Sequence, residues 1–387
     1  NNEFKNYEKI IFNKKRKLNK KIKIGYFCGD YHDHPVLHIM SNIFKNHNKD
    51  NFEIYAFSHG INKKNNIWLE DVFQSFKKFY DINEMTDDDI VKLVNSENID
   101  IAVNLTGLTE RSRTSIFYNK IAPIQINYLG FPGTIGLKFM DYIIADKIVI
   151  PENQKKYYTE KVCYLPTCYI PNANNIAIKD KNKNFSRAEF GLPQNEIVFC
   201  AFHNPHKINP AIFDCWMNII KKIEGSVIWI KSDTEKGKNN LINEAKKRGV
   251  NSKRIIFTKG ISNINDHIQR LKLADIFLDT YPYASHSTIY DYFRANLPAI
   301  VREGNSFPSR VASSIYYSVG LSELVAKNNF DYEKIAVNLA NNKTKILNLK
   351  NKIKTEIKNN YVFDSKKFTV DLENIYSEII RKELTNT

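Results

Sequence analysis

A lysine just past a short apolar run is the first residue of this sequence placed to do chemistry. Ile197–Phe202 runs out into His203-Asn204-Pro205-His206-Lys207. If that run is a parallel strand, Lys207 points from its carboxyl end into the crevice where α/β sheets bind ligands. A compact ammonium there suits a leaving group that gathers negative charge, such as a diphosphate. In a chain this rich in lysine, a solvated loop residue accounts for Lys207 at least as well.

A second segment carries more groups. Leu278-Asp279-Thr280 ends an apolar run, and Tyr281-Pro282-Tyr283-Ala284-Ser285-His286-Ser287-Thr288 leads into a helix bearing Ile289, Tyr290, Tyr292 and Phe293. Ser287 and Thr288 stand where helix caps belong, so the open N–H groups of the first turn are expected to form an anion site, joined by His286. Asp291 would repel a phosphate but accept from the two hydroxyls of an adjoining ribose. The same residues also describe an ordinary capped helix whose acid favours the macrodipole.

Other polar clusters are weaker. In Asp30-Tyr31-His32-Asp33-His34-Pro35-Val36-Leu37-His38, the spacing of His34 and His38 is half of a zinc-protease signature, but the glutamate is missing and Pro35 intervenes. His34 remains a loop residue placed to meet a ligand hydroxyl. In Leu129-Gly130-Phe131-Pro132-Gly133-Thr134-Ile135-Gly136 the glycines allow backbone to approach a ligand, or simply make a turn. Asp87-Asp88-Asp89 follows Thr86 and reads as the acidic first turn of a capped helix. Cys163 and Cys168 lack a second His/Cys pair, so no metal is expected.

The elements that must hold these groups alternate. Runs at 21–28, 52–58, 99–105, 124–130, 142–145 and 162–165 read as buried strands, with helices between them. After a polar stretch at 172–184, strands recur at 197–202, 226–231, 254–258, 276–280 and 299–302. This predicts an α/β chain of two Rossmann-like halves facing a cleft. The expected divisions are a basic lead-in (1–20), an N-terminal domain (21–175), a C-terminal domain (176–362) and a closing helix (363–387). That helix carries Phe368, Leu372, Ile375 and Ile379 on one face and is expected to pack back across the junction.

The 387 residues carry a formal charge of +15, but the lysines are interleaved with asparagine throughout, which argues for solvated surface and against a nucleic-acid partner. No apolar run reaches the length of a membrane span. Residues 1–23 lack the apolar core of a secretory signal. Five cysteines, mostly inside apolar runs, point to free thiols in a reducing cytoplasm.

Taken in order, these stretches resemble the catalytic region of the protein O-GlcNAc transferase and SPINDLY family (glycosyltransferase family 41). The matching residues are Gly29–Pro35, Asn104–Gly107, Ala122–Thr134, Met140–Asp146, Lys207, Arg254–Phe257, Leu273–Thr280, His286–Asp291 and Ser309–Ser314. The resemblance implies a GT-B fold and inverting, metal-independent transfer from a UDP-sugar to a protein or peptide acceptor, with no cofactor. It also implies roles. Lys207 stabilises the departing diphosphate; His286, Ser287 and Thr288 hold phosphate; Asp291 holds ribose; His267 stacks beside uracil; His34 lies near the reacting centre. Asn204, Gly133 and Thr134 are counted with the donor-binding residues. The pair His286 and Asp291, absent from GDP-fucose-using SPINDLY relatives, favours UDP. Asn204, His206 and Asp100 replace a usual glutamine, tyrosine and histidine, and the family's helical-repeat region is not among these residues. A carbohydrate or small-molecule acceptor, or a non-catalytic nucleotide-sugar-binding role, stays open.

Overall fold

Parallel strands covered on both faces by helices are buried on both sides, so they arise from continuous apolar runs. The structure, a computed structural model, describes residues 20–60, 67–172 and 183–384. The chain divides into two units, one formed by Asn1–Asn175 with Asp364–Thr387 and the other by Ile176–Phe363. Most of the expected lead-in and of the polar stretch at 172–184 lies outside the described residues.

In unit 1 the elements run β1 (Ile22–Cys28), α1 (Pro35–Asn46), β2 (Phe52–Ser58), α2 (Ile67–Phe73), β3 (Lys78–Asp81), α3 (Asp87–Glu97), β4 (Ile101–Asn104), α4 (Ser115–Tyr118), β5 (Ile124–Asn127), β6 (Tyr142–Ala145) and β7 (Lys161–Tyr164). They form one parallel sheet in the order β3-β2-β1-β4-β5-β6-β7. The order reverses between β1 and β4, which opens a crevice at their carboxyl ends. Phe27 anchors the core beneath it, stacked on Phe57 at 4.5 Å. Thr86 caps α3 by accepting from the Asp89 N–H at 3.2 Å, and Asp87 pairs with Arg113 at 2.8 Å. The acidic triplet is therefore structural.

Unit 2 contains β8 (Val198–Ala201), α5 (Pro210–Lys222), β9 (Val227–Lys231), α6 (Glu235–Lys247), β10 (Ile255–Thr258), α7 (Ile264–Leu271), β11 (Ile276–Leu278), α8 (Ile289–Arg294), β12 (Ala299–Arg302), α9 (Phe307–Ser318), β13 (Val325–Ala326), α10 (Asn329–Ala340) and α11 (Lys343–Asn359). Its strands are parallel, in the order β10-β9-β8-β11-β12-β13, reversing between β8 and β11.

Two strands lay outside the sequence expectation, and both are sheet edges. In β3 the termini Lys78 and Asp81 are exposed and the middle is half-buried, so no apolar run marks it. β13 is only two residues long.

The last helix, α12 (Ser365–Leu384), belongs to unit 1 and packs on α1. The expected stripe Phe368, Leu372, Ile375 and Ile379 is buried. Beside it the Glu373 carboxylate accepts from His47 Nδ1 at 2.9 Å and from the Asn48 N–H at 2.7 Å. His47 Nε2 meets the Tyr26 hydroxyl at 2.8 Å, and that hydroxyl lies 3.3 Å from Tyr376.

Candidate functional site

Each unit places its polar segments at the reversal of its own sheet. In unit 2, Lys207 follows β8 and the 279–288 segment follows β11, the two strands that flank the reversal. Asn204 caps a short 3₁₀ turn, Pro205–Lys207, by accepting from the His206 N–H at 3.2 Å; Asn204 and His206 are exposed. The turn aims Lys207 at the neighbouring segment. Its Nζ donates to the Ala284 carbonyl at 3.0 Å and sits 4.5 Å from the Tyr283 ring centroid. Burial pushes the Lys207 amine below its usual range, and the Asp279 carboxylate acts against that.

His286 stacks on Tyr283 at 4.6 Å, and its Nε2 lies 3.2 Å from the Pro308 carbonyl. A carbonyl only accepts, so Nε2 carries the proton and Nδ1 is left as an acceptor. Burial and the Lys207 charge hold His286 neutral, with its pKa down to about 3. Protonation of Nδ1, or a turn of the ring that frees the Nε2–H, is needed before His286 can donate to a phosphate.

The expectation for Ser287 and Thr288 needs correction. Thr288 is the N-cap, but its backbone is already helical and its side chain makes no capping bond. The N–H groups of Ile289, Tyr290 and Asp291 bond back to the carbonyls of His286, Ser287 and Thr288 at 3.0, 3.2 and 3.1 Å. A tight 3₁₀ turn has used the donors expected to face an anion. The anion site expected from those three N–H groups is therefore not formed by them. Asp291 lies in the first turn of α8, paired with Arg294 at 3.1 Å, and burial raises its pKa to about 6.

His267 lies in α7, its ring 6.1 Å from Phe202 at the end of β8. Arg270 donates to its Nδ1 at 3.0 Å, so the neutral ring carries its proton on Nε2. Burial, with Arg270 and Lys231 nearby, lowers its pKa to about 4.

Unit 1 holds the other candidates. His34 is the N-cap of α1, where its Nδ1 accepts from the Val36 N–H at 3.3 Å. The Asp30 carboxylate lies 3.7 Å from His34, 3.5 Å from His32 and 3.3 Å from Arg111. His38 turns instead to Asp33 at 2.6 Å, so the two histidines do not converge. Among the described residues no three His, Cys, Asp or Glu side chains gather as a metal site.

Gly133 and Thr134 also belong to unit 1. Thr134 donates to Glu160, and the Gly133 carbonyl accepts from Asn127 Nδ2 at 3.0 Å. A side chain on Gly130 would lie 2.0 Å from the Leu105 carbonyl, so this glycine admits neighbouring backbone. Sequence reasoning gave no role to Tyr283, Arg270, Asp279 and Ser285, whose contacts hold Lys207, His267 and the 280–286 loop; their spacing carries no sign of those contacts.

The profile of glycosyl transferase family 41 matches residues 4–182 and 173–372. The fold is therefore the GT-B type, and the chain belongs to glycosyl transferase family 41. It is 33% identical over 361 residues to the probable UDP-N-acetylglucosamine–peptide N-acetylglucosaminyltransferase SEC of Arabidopsis thaliana, covering 92% of this chain and 37% of that protein. It is 24% identical to the UDP-N-acetylglucosamine–peptide N-acetylglucosaminyltransferase of Caenorhabditis elegans, covering 94% of this chain and 41% of that one. Its fold matches a mutant of the Thermobaculum terrenum O-GlcNAc transferase with a TM-score of 0.87 at 23% identity, over 96% of this chain and 69% of the other. The chain thus spans about two fifths of the length of these two curated relatives. No helix among the described residues is long and apolar enough to cross a membrane.

Proposed function

We propose that this chain transfers GlcNAc or another hexose from a UDP-sugar to a protein side chain, with inversion and without a metal ion. The observation that carries the reading is Lys207, an ammonium held at the sheet reversal of unit 2 beside the segment bearing His286 and Asp291. As the acceptor oxygen attacks the anomeric carbon, the bond to the diphosphate breaks and negative charge gathers on the leaving group. Lys207 would meet that charge in a partly buried setting where it counts for more than in water.

Ser287, Thr288 and His286 would bind phosphate, Asp291 the ribose and His267 the base, with Asn204 beside the lysine. In unit 1, His34 is assigned to the acceptor side, and Gly133 and Thr134 remain donor-binding candidates. The curated relatives named above, which act on UDP-N-acetylglucosamine and peptide, support this choice of donor and acceptor. Five free cysteines, four of them buried, support a reducing, cytoplasmic setting.

The test is to offer UDP, GDP and their sugars in a thermal-shift panel, then to follow transfer to cellular proteins by intact mass. A bound ligand at about 100 times its Kd stabilises by roughly 2.7 kcal/mol. Stabilisation by GDP compounds alone, or sugar appearing only on small carbohydrates, would refute the reading.

A further inference from the structure

Asp279, at the end of β11, is fully buried. Its Oδ1 accepts from the Thr280 N–H at 2.8 Å, the Ser285 N–H at 3.0 Å and the Ser285 hydroxyl at 2.8 Å, and its Oδ2 lies 3.1 Å from the same Ser285 nitrogen. Every one of these partners donates, which is the pattern an ionised carboxylate requires. Its own carbonyl accepts from the Tyr332 hydroxyl at 2.8 Å.

The groups around Asp279 come from several elements. His203, past β8, has Nε2 at 3.7 Å from the carboxylate but gives its N–H to the Leu278 carbonyl at 3.0 Å, and burial lowers its pKa to about 4. Tyr292 of α8 lies 3.1 Å from the Ser285 hydroxyl and also hydrogen-bonds Thr288. Tyr316 of α9 and Tyr332 of α10 feel the same charge, and burial raises both. These four are neutral near pH 7. Lys207, which also feels Asp279, is the cation in this set.

The geometry follows from that. Thr280 and Ser285 are both tied to one carboxylate, so the loop between them closes on Asp279. The closed loop presents the Ala284 carbonyl and the Tyr283 ring to Lys207. Ser285 accepts from Tyr292 because its own proton goes to Asp279, and so the direction of hydrogen bonding is set as far as Thr288.

We propose that Asp279 is a positioning residue, which closes the 280–286 loop around Lys207 and supplies that lysine's countercharge. The proposal rests on the reading of Lys207 as the group that meets the diphosphate.

The experiment compares the wild type with Asp279→Asn and Ser285→Ala. One readout is UDP affinity by calorimetry. The other is the pH at which Lys207 titrates, followed by NMR on ¹³C-methylated lysines and assigned by loss of its signal in Lys207→Arg. Asp279→Asn is expected to weaken UDP about tenfold or more and to lower the Lys207 titration by about one pH unit. Ser285→Ala keeps the charge and loses one tether, so UDP weakens several-fold while the titration stays put. An unmoved Lys207 titration in Asp279→Asn overturns the proposal. If that variant does not fold, wild-type UDP affinity in folded Ser285→Ala overturns it. A wild type that binds no UDP refutes the proposed function instead, and the Lys207 titration still decides the part played by Asp279.

Discussion

The ammonium of Lys207 and the carbonyl of Ala284, 3.0 Å apart, join two segments that leave different strands on either side of the sheet reversal of unit 2. The lysine proposed to carry the reaction is thus placed by main chain as well as by charge. Lys207→Met is expected to lower transfer about 10²–10³-fold. Burial lowers the lysine's pKa, so its charged form costs stability at every pH below that value. Removing it should leave the melting temperature at pH 7 unchanged or higher. Sugar transfer and calorimetric melting of the same preparation check both halves.

Asp291 sets binding against stability. Its pKa is raised from 3.8 to about 6 by burial, so the folded state favours the protonated form. The resulting cost grows as pH rises from about 4 to about 6 and is constant above that. Asp291→Asn, a mimic of the neutral form, should raise the melting temperature at pH 7–8, with the gain fading as pH falls toward 4. In the same variant UDP affinity should fall at pH 7, because a ribose hydroxyl loses its ionised acceptor. Melting curves across pH and a UDP titration measure the two effects.

Gly130 and Gly133 should part company under substitution. A Cβ on Gly130 meets the Leu105 carbonyl at 2.0 Å, where only backbone could give way. Gly130→Ala should destabilise by about 1–3 kcal/mol or more. A Cβ on Gly133 meets the edge of the Phe131 ring at 3.0 Å, and a ring can shift, so Gly133→Ala should cost much less. Urea denaturation of the two variants makes the comparison.

Glu373 satisfies both His47 and the Asn48 N–H inside unit 1. Glu373→Ala leaves the buried His47 donor without its acceptor, at a cost of about 1–3 kcal/mol, and frees the half-buried Asn48 N–H as well. Hydrogen exchange should rise across α1 and α12 and stay near the wild-type pattern in unit 2.

Chelation tests the metal-independent reading. Transfer should be unchanged after dialysis against EDTA; a requirement for added Mn²⁺ would overturn it.

Much of the fold was legible because buried parallel strands leave an unmistakable trace. Phe52–Ser58, Tyr142–Ala145 and Ala299–Arg302 are observed as read. β3 was hidden because an edge strand needs no apolar run, and Lys78 and Asp81 at its ends look like loop. At the site, Lys207 was visible by its place after a strand. The role of Asp279 was not, since a carboxylate bound by the very next residue and by one six further on has no periodic signature. The first turn of α8 misled for a related reason: sequence shows capping residue types, whereas the carbonyls of His286, Ser287 and Thr288 decide where its N–H groups go.

The return of α12 to unit 1 has a consequence for how the chain is made. Synthesis runs from the amino end, yet the apolar stripe Phe368–Ile379 that covers α1 is the last part of unit 1 to be built. All of unit 2, Ile176–Phe363, has to be translated first. At about 5–20 residues per second that is a wait of roughly ten to forty seconds. For that time the nascent first unit lacks the helix that covers its face around Tyr26 and His47. The half begun first is the half finished last.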